Sequence, residues 1–86
     1  MKTFTLVISS PNGEIYRGDV IELFLRGGDG DLAVLAGHIP FITTVKAGKC
    51  IVTESDETER VALTENGLLS VSENTVTLLT GGFSWQ

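Results

Sequence analysis

The segment GGDGDLAVLAGHIP, from Gly27 to Pro40, concentrates the groups that could do chemistry. It holds four of the ten glycines, two carboxylates and the only histidine. Residues 28–33 satisfy the relaxed dinucleotide pattern G-x-G-x-x-[GA], in which N–H groups at a helix start receive a pyrophosphate. That chemistry needs a helix after the glycines, and Leu32 to Leu35 reads as a short strand. Asp29 and Asp31 would also set negative charge where the phosphate sits. The same acids match the first ligands of a calcium loop. Such a loop needs more oxygen ligands, a glycine at its sixth place and a closing glutamate, and positions 33 and 34 are Ala and Val. One His and one Cys, a dozen residues apart, do not make a transition-metal site. His38 has no hydroxyl nucleophile in a recognisable motif around it, so a structural or interface histidine is expected. No catalytic residue, cofactor or metal is expected.

The elements that position this segment are short strands. Phe4, Leu6 and Ile8 alternate with Thr3, Thr5 and Val7. Ser10-Pro11-Asn12-Gly13 is a turn, because Pro presets φ and Asn-Gly tolerates positive φ. Glu14 to Tyr16 and Asp19 to Leu25 follow as strands, with a bend or bulge at Gly18. Ile21, Leu23 and Leu25 fall on one face, and Val20, Glu22 and Phe24 on the other. Strands are also expected at Leu32–Leu35, Phe41–Val45, Lys49–Thr53, Arg60–Thr64, Leu68–Ser72 and Thr75–Thr80. Asn66-Gly67 between two alternating runs is a hairpin signal, and Glu73-Asn74 is the next turn. Gly81-Gly82 ends the pattern and leaves Phe83 to Gln86 as a tail. No helical period lasts ten residues. The fold class is all-β: a β-sandwich or barrel of short antiparallel strands, because parallel strands need crossovers of a dozen or more residues.

Eighty-six residues make one small domain whose own core gives modest stability. Six basic against eleven acidic residues leave a net charge of -5, with no basic run. Nucleic acid is not an expected partner. Glu54, Asp56, Glu57 and Glu59 read as a solvated hairpin tip. Cys50 is the only cysteine, so no internal disulfide forms, and Cys50-Ile51-Val52 reads as a buried, inert thiol. No apolar run approaches a membrane span, and MKTFTLVISS lacks the core and cleavage site of a signal peptide. The expectation is a soluble, intracellular chain.

Two resemblances carry functional content. Val45-Lys46-Ala47 lies at an expected turn of an all-β chain, as the modified lysine of lipoyl carrier domains does, with Val45 where those have an acid. The other is far longer. Ser10-Pro11-x-Gly13-Glu14-x-Tyr16-x-Gly18-x-Val20 is followed by Leu25-x-Gly27, by Gly30-Asp31-Leu32-x-Val34-Leu35-x-Gly37-His38-x-Pro40-Phe41, and by Thr44-Val45-Lys46-x-Gly48. Gly67-Leu68-Leu69-x-Val71 and Thr75 to Leu79 follow. From residue 3 to about 80 the chain resembles the N-terminal β-sandwich domain of the epsilon subunits of F-type ATP synthases. Arg26 and Ala36 stand where that family usually has proline, and Asp31 where glutamate is commoner. The helical hairpin that usually follows in the family has no counterpart in these residues.

The resemblance implies a domain over residues 1–80 with a tail over 81–86. It implies a non-catalytic rotor subunit, peripheral to the cytoplasmic side of a bacterial plasma membrane or the inner face of an organelle membrane. Its partners would be the gamma subunit and the c ring. Asp29, Gly30 and Asp31 would face the ring. Ser10, His38, Phe41 and Thr43 would face gamma, with His38, Phe41 and Thr43 near the Ser10 turn.

Overall fold

A computed structural model describes all residues from Met1 to Gln86. Nine strands follow one another: β1 (Phe4–Ser10), β2 (Gly13–Gly27), β3 (Gly30–Leu35), β4 (Phe41–Val45), β5 (Gly48–Glu54), β6 (Glu59–Thr64), β7 (Gly67–Ser72), β8 (Thr75–Thr80) and β9 (Phe83–Trp85). The all-β expectation holds. The pairing order β1-β8-β7-β4-β2-β5-β6-β9, with β3 on β2 and β1 also on β2, resolves into two layers. Sheet I contains the first half of β2, then β1, β8, β7 and β4. Sheet II contains β3, the second half of β2, β5, β6 and β9.

β2 belongs to both layers, and this replaces the two short strands expected from sequence. Its first half pairs with β1 through Val20, and its second half pairs with β3 and β5. The β5 register slips between Val20 and Glu22, so Ile21 is an extra residue. A bulge of this kind bends a strand and flips the side-chain phase. Val20, Leu23 and Leu25 are therefore all buried, whereas strict alternation set Val20 opposite the other two. The other β1–β2 irregularity lies between Ile8 and Ser9, not at Gly18.

Fifteen residues from the two inner faces form one core, with Phe4, Leu6 and Ile8 of β1 among them. Cys50 is fully buried there, and loss of water pushes its thiol up to about 12. A thiol so poised carries almost no thiolate at neutral pH. Iodoacetamide at pH 8 should therefore leave native protein unlabelled and add one adduct only in denaturant. Labelling of the folded chain at the denatured rate would contradict this burial.

Three expectations are corrected. First, β1 and β8 are parallel, with Thr5 opposite Thr75 and Ser9 opposite Leu79. No local crossover is needed, because nearly the whole chain lies between them. Second, Asn66-Gly67 is not a hairpin: β6 pairs with β5 and β9, while β7 pairs with β4 and β8. The dipeptide carries the chain from sheet II to sheet I. Beside it Lys46-Ala47 crosses the other way, and the Asn66 side chain accepts the Ala47 N–H at 2.8 Å. Third, Phe83–Trp85 is no tail. It pairs with β6, and the Trp85 ring stacks edge-on against Phe83 at 5.0 Å and Tyr16 at 5.5 Å. The Arg60 guanidinium lies 3.8 Å over the Trp85 ring and bonds Glu54 at 3.1 Å. These rings close the flank where β2 leaves sheet I.

Candidate docking surfaces

Asp29 sits at the tip of the β2–β3 hairpin, which Gly27 and Gly30 close. Gly30 holds φ +133, open only to glycine at little cost. Asp31 is exposed beside Arg26 on the outer side of sheet II. No salt bridge neutralises Asp29 or Asp31: the ion pairs of the chain are Arg17–Glu14 and Arg60–Glu54. The two acids line a depression of about 350 Å³ with Gly30, Leu32, Phe41 and Thr43. Here the β2–β3 hairpin and β4 share the depression, and β4 is tied to β2 by the Gly27–Val45 pair.

The seven candidate residues fall into three places rather than two. Asp29, Gly30 and Asp31 share the depression with Phe41 and Thr43, which the sequence reading set on the other surface. His38 lies beyond Leu35, in a shallow cleft with Lys2, Thr3, Glu73 and Asn74; its ring is 6.1 Å from that of Phe41. Ser10 is at the opposite end of β1, where its hydroxyl accepts the Asn12 N–H at 3.2 Å inside the turn. Because β1 runs from Phe4 beside the His38 cleft to Ser10, roughly 20 Å of strand separate the two. Ser10 is therefore not near His38, Phe41 and Thr43. Chain order alone could not show which ends of β1 and β4 lie together.

His38 has a specific backbone contact. Its Nδ1 lies 3.0 Å from both the N and the O of Leu35. The tautomer protonated at Nε2 accepts the Leu35 N–H; the other donates to the Leu35 carbonyl. No three His, Cys, Asp or Glu side chains gather to hold a metal.

A larger surface escaped sequence reading. Across β4, β7, β8 and β1 the outer face of sheet I is formed by alternate residues, and its β2 margin adds Asp19 and Arg17 opposite Thr5 and Val7. One row across it runs Ile42, Ser70, Thr77 and Val7, and the next runs Thr44, Leu68, Leu79 and Ser9. Ile42 is 67% exposed, Leu79 48% and Leu68 40%. These four strands contain no charged residue at all, although a fifth of the chain is charged. Charge is carried by sheet II, the first half of β2 and the turns: Glu22, Arg26, Asp31, Lys49 and Glu59 all lie on the outer side of sheet II. The signal was present in the sequence as uncharged strands at 4–10, 41–45, 67–72 and 75–80, but only pairing shows that they adjoin.

The chain has clear relatives. The family described as the ATP synthase delta/epsilon chain β-sandwich domain matches residues 3–86. The ATP synthase epsilon chain of Clostridium kluyveri is 34% identical over 80 residues, covering 93% of this chain and 61% of that one. The epsilon chain of Campylobacter lari is 37% identical over 81 residues, covering 94% and 62%. The chain thus spans about three fifths of the length of these curated relatives. Among solved structures, a chain of the Euglena gracilis mitochondrial ATP synthase, in a structure of its OSCP, F1 and c-ring, superposes with TM-score 0.90 at 19% identity, over 96% of this chain and 53% of that chain. A chain from the Tetrahymena thermophila mitochondrial ATP synthase central stalk and c-ring gives 0.79 at 12% identity, over 95% and 66%. At such identities the superpositions speak for the fold. The family match reaches Gln86 and so takes in β9, and with the epsilon-chain identities it shows that this chain belongs to the ATP synthase delta/epsilon chain β-sandwich family.

Proposed function

We propose that this domain is a non-catalytic central-stalk component of an F-type ATP synthase, holding the gamma subunit on one side and the c ring on another. Rotation driven by proton flow would pass through these contacts to catalytic sites elsewhere. The observation that carries the reading is the uncharged part of the outer face of sheet I, across β4, β7, β8 and β1. A flat surface of Ser, Thr, Leu and Ile across four strands can be desolvated without stranding a charge, as the centre of a protein interface requires. Gamma is assigned to this face and its β4 margin with Phe41 and Thr43, and His38 flanks it. Asp29 and Asp31 project from the hairpin tip and suit polar or basic loops of the ring through charge-assisted hydrogen bonds. A subunit held in this way is peripheral to the membrane, on its cytoplasmic side in a bacterium. No helix of the chain is long and apolar enough to cross a membrane.

The fold suits transmission of force. β2 runs through both layers without a break, so a load entering one sheet reaches the other along covalent chain and ladder hydrogen bonds rather than through side-chain packing alone. Lys46, considered for lipoyl attachment, is in a crossover. Its N–H donates to the Arg26 carbonyl at 2.9 Å, and the next N–H is held by Asn66. It is not the tip of a free hairpin.

Native mass spectrometry of a mixture with an ATP synthase gamma subunit tests the reading. A one-to-one complex is expected, and an unmodified Lys46 after expression in a lipoylating host. Separate species throughout, or a mass gain of one lipoyl group, would overturn it. Asp31→Ala should lower retention on an assembled c ring at least tenfold while the melting temperature stays within about 2 °C, because the side chain is exposed and unpaired. Undiminished retention would make Asp31 a turn residue only.

A further inference from the structure

The depression beside Asp31 is bounded by a strand with one free edge. β3 pairs with β2 alone. In an antiparallel pair the backbone N–H and C=O of alternate residues point toward the partner and away from it. Gly27 and Gly30 close the hairpin, and the N and O of Leu35 both reach outward to His38. The parity of the ladder then turns the polar backbone groups of Asp31 and Ala33 outward as well. His38 covers the last of these three sets and leaves the first two open. Natural sheets blunt such edges with proline, lysine or a covering loop. Here the only cover is at Leu35.

We propose that this open edge takes an extended segment of a partner protein as an added strand, one that alternates basic with β-branched side chains. The added backbone would donate to and accept from Asp31 and Ala33. A basic side chain opposite Asp31 would meet the unpaired carboxylates of Asp31 and Asp29. The next side chain would turn inward over Leu32 and Phe41, which line the depression and offer apolar surface. The imidazole at Leu35 sets where the added strand must stop. The proposal rests on the reading of Asp29 and Asp31 as partner-facing and adds how the partner's backbone is gripped.

The test uses the ¹⁵N-labelled protein and the peptide acetyl-Lys-Val-Thr-Val-Lys-amide at millimolar concentration. At saturation the Asp31 and Ala33 amides should exchange with deuterium at least tenfold more slowly, and the Leu35 amide should not change. Ala33→Pro removes one outward N–H and should weaken the peptide at least tenfold. Asp31→Lys, at an exposed position that leaves the β2 pairing intact, should do the same. A peptide with Glu in place of Lys should not bind. Unchanged exchange at Asp31 and Ala33, or binding of the peptide by both variants as tightly as by the parent, would overturn the added strand. If Asp31→Ala still loses ring retention while the peptide protects neither amide, the rotor reading stands and the added strand falls.

Discussion

Gly67→Ala should be the most damaging small substitution in this domain. A Cβ on Gly67 would run into the Leu79 carbonyl oxygen and lie 3.1 Å from the Leu79 carbonyl carbon and Thr80 Cα. These are backbone atoms of the adjacent strand, so no side chain can rotate away. Relief requires opening the pairing of Gly67 with Thr80, and Gly67 is also opposite Val45 on β4. The same corner holds the two crossovers and the buried Thr64–Thr80 hydroxyl pair at 2.9 Å, with Glu65 N–H on the Gly82 carbonyl. Movement there disturbs both layers at once. Overpacking commonly costs 1–3 kcal/mol where side chains can yield; here backbone must move, and about 3 kcal/mol or more is expected. Total stability of a chain this size is on the order of 5–10 kcal/mol. The melting temperature should fall by roughly 12–24 °C. Gly81→Ala is the control: the nearest atom to its Cβ would be a Glu65 carboxylate oxygen at 4.0 Å, and its melting temperature should stay within about 3 °C of the parent. Equal melting of Gly67→Ala and the parent would contradict the corner described.

This corner also shows where the sequence stops being legible. Asn66-Gly67 has the composition of a two-residue hairpin, and the local turn does need a residue without a side chain. The need, however, comes from Leu79 in another strand, which no local pattern reports. Strand content was legible because β-branched alternation is local, as in Phe4, Leu6 and Ile8. The Ser10–Gly13 and Glu73-Asn74 hairpins were legible for the same reason, with Ser10 opposite Gly13 and Ser72 opposite Thr75. β9 was missed because three residues after a Gly-Gly pair carry no period. Its place is fixed by Trp85 against Arg60 and Tyr16, contacts made across the fold. The spacing of Asp29 and Asp31 suggested only phosphate and calcium loops, neither of which the neighbouring residues complete; the reading of these acids as partner-facing came from the resemblance. The grouping of His38 with Ser10 failed because strand direction decides which ends of a sheet meet, and direction follows from the parallel β1–β8 pairing that no short-range signal announced.

Leu79→Glu should abolish useful binding of gamma while leaving the domain folded. Leu79 is opposite Leu68 in β7 and Ser9 in β1, near the middle of the uncharged face, and its side chain is about half exposed in the free domain. In the free protein the new carboxylate stays in water, so the melting temperature should shift by no more than about 3 °C. In the complex it would be buried among Ser, Thr and Leu with no cation on any of the four strands to meet it. An unpaired charge buried at an interface centre typically costs about 3 kcal/mol or more, so calorimetric affinity for gamma should drop on the order of 100-fold. Leu68→Glu should do the same, because the two leucines form one cross-strand pair. Ile51→Glu provides the contrast. Ile51 is on the outer side of sheet II between Phe24 and Val61, where Glu22 and Glu59 already lie nearby, and it should leave gamma affinity within a factor of three. Were Ile51→Glu as harmful as Leu79→Glu, overall negative charge rather than a particular face would govern the association. Were Leu79→Glu harmless, sheet I would be solvent-facing in the assembly, and the margin with Phe41, Thr43 and His38 would have to hold gamma by itself.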